Sequence, residues 1–343
     1  MVAMTAEVRI VGQGLAGSLL GWACECSGIS FTIEDPFVCR AAGTPRFVPA
    51  SSVGAGIINP ITGQRLVKSW RIDTLMPQAV AMYEALERAL GQRFLYRYRL
   101  QRFFADERER NVAREKWARG DFSDFGRSLD ENSLSIEPAY RVDLENLVRA
   151  LRTRWQTSGQ WRESASVQGD PGLSTSDALT VRCLGAGELT ESEFRWASLV
   201  PAKGELLEIE TEPPALDPSL IRNCHEWLVP LSESRALIGA TFEPGNSSSQ
   251  PTEEARTALT CAATQLLGSN AFRIVSHRAG VRVVAPDKHP VIGRHPERLS
   301  VGIFNALGSK GALLAPWLAD QWVAHLKSGQ PIDREIDVAR FWK

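Results

Sequence analysis

The chain has 343 residues, enough for about two domains, or one large domain with a lobe, at roughly 150 residues per domain. Hydrophobic residues at 43%, charged residues at 23%, 27 Gly and 19 Pro are ordinary globular values and exclude a disordered, collagen-like or disulfide-scaffold chain. Lys plus Arg number 39 against 40 Asp plus Glu, so a formal charge of -1 offers no net field to a phosphate backbone, and no apolar stretch reaches the roughly 20 residues of a membrane span.

The stretch from Met1 to Arg9 lacks the positive n-region of a secretory signal, which predicts a cytoplasmic protein. Glu7 to Val11 is a short β-branched run that breaks into Gly12-Gln13-Gly14-Leu15-Ala16-Gly17 and then an Ala/Leu-rich stretch to about Ser27. That reads as strand, glycine turn, helix. A second β-rich run, Ser30 to Ile33, ends at Glu34-Asp35-Pro36, where the proline forbids further pairing and two carboxylates sit at the strand's carboxyl end. Phe37 to Gln64, rich in Gly, Pro, Ser and Ala, reads as a long functional loop. Helical spacing covers Asp73 to Leu90 with Gly91 as the stop, Phe94 to Phe104 alternates like a half-exposed strand, and Asp106 to Arg119 reads as a charged, solvated helix.

Asp143 caps a helix running to about Gln156. A strand pair follows, its second member, Leu179 to Leu184, running into Gly185-Ala186-Gly187 and returning the chain to the first sheet. Leu206 to Ile209, Trp227 to Leu231 and Ala236 to Phe242 read as an antiparallel group, and Thr252 to Leu267 as a helix with Glu253 and Glu254 in its first turn. At the carboxyl end His277 to Val284 reads as a strand, Asp287 to Pro296 as a turn-rich connection, Ser300 to Asn305 as a strand, and Gly308 to Leu326 as a glycine turn followed by a helix. Cys24, Cys26, Cys39, Cys183, Cys224 and Cys261 form no CxxC pair and read as reduced, buried and structural.

Gly12, Gly14 and Gly17 permit a tight turn, close backbone approach to a pyrophosphate, and close packing of helix on strand; alone they also fit a merely structural turn. Glu34, about 20 residues on, is placed to accept both ribose hydroxyls, with Asp35 beside it. A carboxylate there disfavours a 2'-phosphate, which leaves FAD or NAD. A flavin has to be gripped along its length by distant segments, and two are present. One is the run Ala50 to Pro60, whose Ser51, Ser52, Gly54, Ala55, Gly56 and Ile57 are small or flat enough for backbone to lie against a planar ring. The other is Gly308-Ser309-Lys310-Gly311-Ala312, a helix amino terminus whose unpaired N–H groups and positive dipole end stabilise negative charge. The histidines have no metal-ligand spacing, and neither a GxSxG elbow nor a P-loop lysine motif is present.

Blocks in order over nearly the whole chain carry a resemblance to a known family: the amino-terminal fingerprint with Glu34; the Ser52-to-Pro60 loop; Tyr140-Arg141-Val142-Asp143 before a helix; Cys183-Leu184-Gly185-Ala186-Gly187; Trp227-Leu228-Val229-Pro230 with Ile238-Gly239-Ala240-Thr241; and the last third, Arg278-Ala279-Gly280-Val281-Arg282, Asp287-Lys288-His289-Pro290-Val291-Ile292-Gly293 and Asn305-Ala306-Leu307-Gly308-Ser309-Lys310-Gly311. The sequence resembles the D-amino-acid oxidase family of flavoproteins, in the branch with glycine oxidase, sarcosine oxidase and the oxidase domain of the tRNA wobble-uridine-modifying enzyme. The resemblance implies an α/β fold with an α+β substrate lobe: a Rossmann-like FAD-binding domain over 1–85, 140–200 and 277–343, and a mostly antiparallel-sheet substrate domain over 86–139 and 201–276. It implies non-covalent FAD held by Gly12, Gly14, Leu15, Ala16, Gly17, Glu34, Asp35, the Ser51-to-Ile57 loop, Gly185, Ala186, Gly187, Arg282 and the Gly308-to-Ala312 turn. It also implies Arg282 as a carboxylate clamp and Lys310 as a cation at the ring edge; the alternative for Arg282 is an ion pair within the strand layer.

The implied reaction is hydride transfer from the carbon next to an amine to flavin N5, giving an imine that water hydrolyses. The implied partners are a small amine or amino-acid substrate and O2 or an electron carrier. Lys68, Trp70 and Arg71, a cationic and aromatic cluster, are candidates for the substrate entrance. Alternatives are action on an aminomethyl-modified tRNA uridine, a redox-sensing flavin-binding protein without turnover, and an NAD-dependent dehydrogenase.

Overall fold

The computed structural model describes residues 7–36, 48–164, 178–189 and 192–343. The expectations for 37–47, Cys39 among them, lie outside the described residues. Among the described residues the α-helices are α1 (Leu15–Cys26), α2 (Ile72–Leu90), α3 (Glu107–Ala118), α4 (Leu144–Thr157), α5 (Glu253–Leu267) and α6 (Gly311–Ser328). Their ends follow the sequence: Gly91, Gly268 and Gly329 terminate α2, α5 and α6 in the left-handed conformation, and Asp106, Asp143 and Thr252 cap α3, α4 and α5 through their side chains.

The strands form two main sheets. The six-stranded sheet has the order Val291–Arg294, Val301–Asn305, Leu179–Arg182, Val8–Val11, Phe31–Asp35, Trp161–Glu163, parallel except for its first strand. Ile10 and Ile33 on it and Leu19 and Leu20 on α1 have no exposed surface, each such side chain contributing about 1.5–3 kcal/mol relative to exposure. On the neighbouring α4, Trp155 meets Phe31 edge-on at 5.6 Å and donates to Glu25 Oε2 at 2.8 Å, fastening α4 to the same layer.

The ten-stranded sheet is mainly antiparallel and is built on Val200–Thr211, which pairs Phe272–Val284 along one edge and Arg235–Gly239 along the other. Leu95–Phe103 and Ser133–Val142 extend it, and Ile57–Ile58 of the small-residue loop closes its far edge against Ser133–Val142. Phe272–Val284 runs across the expected boundary at 277 and belongs wholly to this sheet.

Several expectations need correction. The two strands after α4 are not a pair: Trp161–Glu163 joins Phe31–Asp35, while Leu179–Arg182 joins Val8–Val11, so they lie on opposite sides of the sheet's centre. The connection Asp287 to Pro296 contains a strand, Val291–Arg294, and Ser133–Val142 was not foreseen as a strand. Within Phe37 to Gln64 the chain forms a 3₁₀ turn at Ala50–Ser52 and two short strands, Ile57–Ile58 and Ile61–Thr62. Cys24, Cys183 and Cys224 are buried but Cys26 and Cys261 are exposed, because they fall on the outer faces of α1 and α5.

Candidate active site

A cavity of about 460 Å³ opens between the carboxyl ends of the parallel strands and the face of the antiparallel sheet. Its parallel-sheet wall combines many small residues with Asp35, Leu184, Phe304 and Asn305. α1 and α6 both start there without a side-chain cap, so the first N–H groups of two helices, with their positive dipole ends, converge on one space. Gly14, Leu15 and Ala16 line it from α1, Gly308, Ser309, Gly311 and Ala312 from α6, and Gly185, Ala186 and Gly187 from a 3₁₀ turn between them. Gly12 and Gly17 shape this wall without lining it. Gly12 holds φ +99°, and a Cβ on it would meet Cys183 O at 2.7 Å; a Cβ on Gly17 would fall 2.0 Å from Gly12 O.

The carboxylates at the end of Phe31–Asp35 take different roles, and the reading of Glu34 as the ribose acceptor is corrected. Glu34 has no exposed surface and does not line the cavity. It accepts from Arg9 Nε at 2.9 Å and Nη2 at 2.7 Å on the neighbouring strand, and from Arg162, its register partner on the other side. Asp35, one residue further along, is the carboxylate that reaches the cavity wall, because successive strand residues point to opposite faces. It accepts from Arg152 Nη2 at 2.7 Å.

The loop Ala50 to Ile57 forms the next wall, with Ser51, Ser52, Gly54, Ala55 and Gly56 all on the cavity. Arg278 holds it there by donating to Ser52 O at 3.2 Å and to Glu145 Oε2 of α4 at 3.2 Å.

The antiparallel sheet closes the cavity with side chains. Arg282 stands above Gly204, on which a Cβ would lie 2.0 Å from Arg282 Nη2, so the glycine makes room for the guanidinium. Nη2 donates to Thr241 O at 2.8 Å, and the guanidinium lies 5.3 Å from the Phe242 ring centre. Among the described residues no carboxylate pairs with Arg282, which removes the strand-layer ion pair as its role. Burial draws its pKa down from the ordinary arginine value, yet a guanidinium stays charged at neutral pH. Trp227 and Leu206 supply apolar wall beside it.

Glu205, next to Gly204, is fully buried on the opposite face of the strand. It pairs with Lys203 Nζ at 2.6 Å, accepts from Thr252 N at 2.9 Å and Thr252 Oγ1 at 3.0 Å, and lies 2.8 Å from His277 Nε2 through Oε2. Burial by itself would raise its carboxyl, but the Lys203 ammonium and the Thr252 donors outweigh that and hold it below the usual carboxylate range.

Lys310, expected at the ring edge, is not on the cavity wall; its contribution is its carbonyl, which accepts from Leu313 N and Leu314 N at 3.0 Å each. Lys68, Trp70 and Arg71 do not line the cavity either. Arg71 is drawn to Asp333 at 2.6 Å and to Glu335, and Lys68 bonds to Asp73 and Asp124. Cys183 touches the cavity, but burial pushes its thiol well above the ordinary range, which disfavours a thiolate nucleophile. The sequence reading missed Gln13, Arg152, Trp227 and Glu205. Gln13 occupies a variable place in the glycine motif, and the other three arrive from segments far away in sequence.

A family model described as FAD dependent oxidoreductase matches residues 7–326. A glycine oxidase of Pseudomonas aeruginosa is 25% identical over 371 residues, covering 95% of this chain and 96% of that protein. The tRNA 5-methylaminomethyl-2-thiouridine biosynthesis bifunctional protein of Caulobacter vibrioides is 27% identical over 364 residues, covering 96% of this chain and 56% of that one. Matches to further curated glycine oxidases span between 32% and 51% of those proteins' lengths. Among solved structures, iminodiacetate oxidase from Chelativorans sp. BNC1 superposes with a TM-score of 0.77 at 19% identity, covering 97% of this chain and 98% of that one. Among the described residues no helix is long and apolar enough to cross a membrane.

Proposed function

The chain belongs to the FAD-dependent oxidoreductase family, whose model spans residues 7–326, and from that premise we propose that it oxidises the C–N bond of a small amino acid or carboxylate-bearing amine held through Arg282. The observation that carries the substrate class is the guanidinium itself: charged, half-buried, on the cavity wall, and without a carboxylate partner among the described residues. A charge kept in such a place is destabilising unless a ligand answers it, and a carboxylate accepts from two of its N–H groups at once.

The donor set fits FAD. Two uncapped helix amino termini suit a pyrophosphate and the electron-rich edge of a ring, Asp35 suits ribose hydroxyls, and the Ser51-to-Ile57 loop offers backbone to a planar group. When bound, FAD supplies the two-electron acceptor. The chain's own residues bind and orient: Arg282 takes the substrate carboxylate, Thr241 O and Phe242 fix the guanidinium's plane, and Trp227 and Leu206 keep water from the amine's neighbouring carbon. The product imine is then hydrolysed by water.

The test is a visible spectrum of purified protein, followed anaerobically by glycine, sarcosine, proline and D-amino acids. Bleaching of the flavin band by one of them is expected. Arg282→Ala should keep FAD and raise that substrate's KM about 10–100-fold, the loss of one or two charge-assisted hydrogen bonds. An unchanged KM removes the clamp. A second reading, an aminomethyl group on a modified tRNA uridine, is favoured by the Caulobacter relative, which aligns with 96% of the chain. A flavin band that ignores all small amines and bleaches with such a nucleoside selects it.

A further inference from the structure

α4 presents Leu144, Val148 and Arg152 to the cavity, one per helical turn. The last of these, Arg152, makes three contacts that converge at the carboxyl end of Phe31–Asp35. Its Nη2 donates to Asp35 Oδ2 at 2.7 Å, its Nε donates to Gln13 Oε1 at 2.8 Å, and its guanidinium lies 5.3 Å from the Trp161 ring centre. The Gln13 amide is fixed from its other end as well, since Nε2 donates to Val148 O at 3.3 Å. One arginine therefore ties α4, the glycine turn and the acidic strand end together at the cavity wall, with about a quarter of its side chain exposed.

We propose that Arg152 is the positioning residue of the adenosine end: it orients the Asp35 carboxylate for the ribose hydroxyls and cancels the charge that this carboxylate would otherwise set against the cofactor's pyrophosphate. The inference rests on the family's dinucleotide and is independent of the amine substrate. Its logic is electrostatic. An anionic carboxylate and an anionic diphosphate have to share one partly dry cavity, where like charges repel more strongly than in water. Glu34 meets the same difficulty by withdrawing behind Arg9 and Arg162. Asp35 cannot withdraw and still face the ribose, so its counter-charge has to stand within the cavity wall, which is where Arg152 lies. A planar, two-armed cation suits this better than lysine, because it neutralises the carboxylate and fixes Gln13 at once.

The experiment follows FAD binding to the full chain by flavin fluorescence, alongside melting of the FAD-free protein. Arg152→Met is expected to raise the FAD dissociation constant about 10–100-fold with the FAD-free melting temperature nearly unchanged. The double variant Arg152→Met/Asp35→Asn is expected to recover much of that loss, because the charge that Arg152 faces is gone. Arg152→Lys should fall between wild type and Arg152→Met, and it serves in place of the methionine variant should that one not fold. An unchanged FAD affinity, a loss that tracks the FAD-free melting temperature, or a double variant no better than the single one overturns the proposal. None of these readouts needs turnover, so a wrong amine assignment leaves the test standing.

Discussion

At the ends of the parallel strands the cavity is lined largely by small residues, Gly14 and Ala16 at the start of α1 and Gly311 and Ala312 at the start of α6 among them, whereas the antiparallel sheet brings the larger Arg282, Trp227 and Leu206 to it. Backbone N–H groups are supplied by any residue that permits the turn, so much of the first wall depends on a few glycines. The second wall depends on which side chain stands at which register position, the kind of difference by which a pocket tells one ligand from another. The sharpest way to test the contrast is to place the same added methyl group on a glycine of each wall.

On the parallel side, Gly17→Ala should have the largest effect. Its Cβ would sit 2.0 Å from Gly12 O, a backbone atom in the turn that both helix and strand hold in place. Neither partner can step aside, so α1 has to lift from the sheet, at a cost of about 3 kcal/mol or more. A fall of roughly 5–10 °C in melting temperature and protein purified without its yellow colour are the expected outcomes. A fully loaded, equally stable variant would show that this wall is softer than its contacts indicate.

The antiparallel sheet supports its side chains from behind. Glu205→Gln should cost about 3 kcal/mol at neutral pH, because it leaves the buried Lys203 ammonium without its counter-charge. The pH dependence has a definite sign. The folded-state pKa of Glu205 lies below its ordinary value of 4.5, so the charge's contribution is complete above that value and is lost as pH falls through the folded pKa. The stability gap between wild type and Glu205→Gln should therefore narrow in acid as the carboxyl takes up its proton, a change read against His277, whose Nε2 lies 2.8 Å from Oε2 and faces the same charge. Melting curves from neutral to acid pH check this; a gap that does not narrow in acid would separate Glu205's role from its charge.

The same division explains what was legible in the sequence. The glycine turn, the small-residue loop and the start of α6 are contiguous motifs whose chemistry is backbone chemistry, so reading them in order places them correctly on one cavity. Glu34 and Asp35 are contiguous too, yet residue type could not choose between them; which of the two lines the cavity is decided by the strand's pleat and by Arg9 and Arg162 on its neighbours. Arg152 carries no local signal, and Trp227 was legible only as the start of a strand in a recognisable block; each becomes a wall residue through packing across the fold. Ser133–Val142 escaped notice because its polar and charged residues mask the alternation of a strand held between two others. Lys310 was misplaced for the opposite reason: the motif around it is real, but its contribution to the α6 terminus is a carbonyl, not an ammonium.

Gly204→Ala completes the comparison. Its Cβ would lie 2.0 Å from Arg282 Nη2, as close as the clash at Gly17, but the atom it meets is the far end of a flexible side chain. The guanidinium can swing away from Thr241 O and Phe242, and the Thr241 carbonyl, 3.1 Å from the new Cβ, has to give by only a few tenths of an ångström, so the parallel wall is untouched. The expected outcome is normal FAD content, a melting temperature within a few degrees of wild type, and a KM raised about 10–100-fold for a carboxylate-bearing amine but not for its decarboxylated analogue. Loss of FAD in this variant would mean that both walls share one packing unit. An unchanged KM would mean that Arg282 reaches its ligand from more than one position, and that the glycine beneath it is kept for the strand's sake alone.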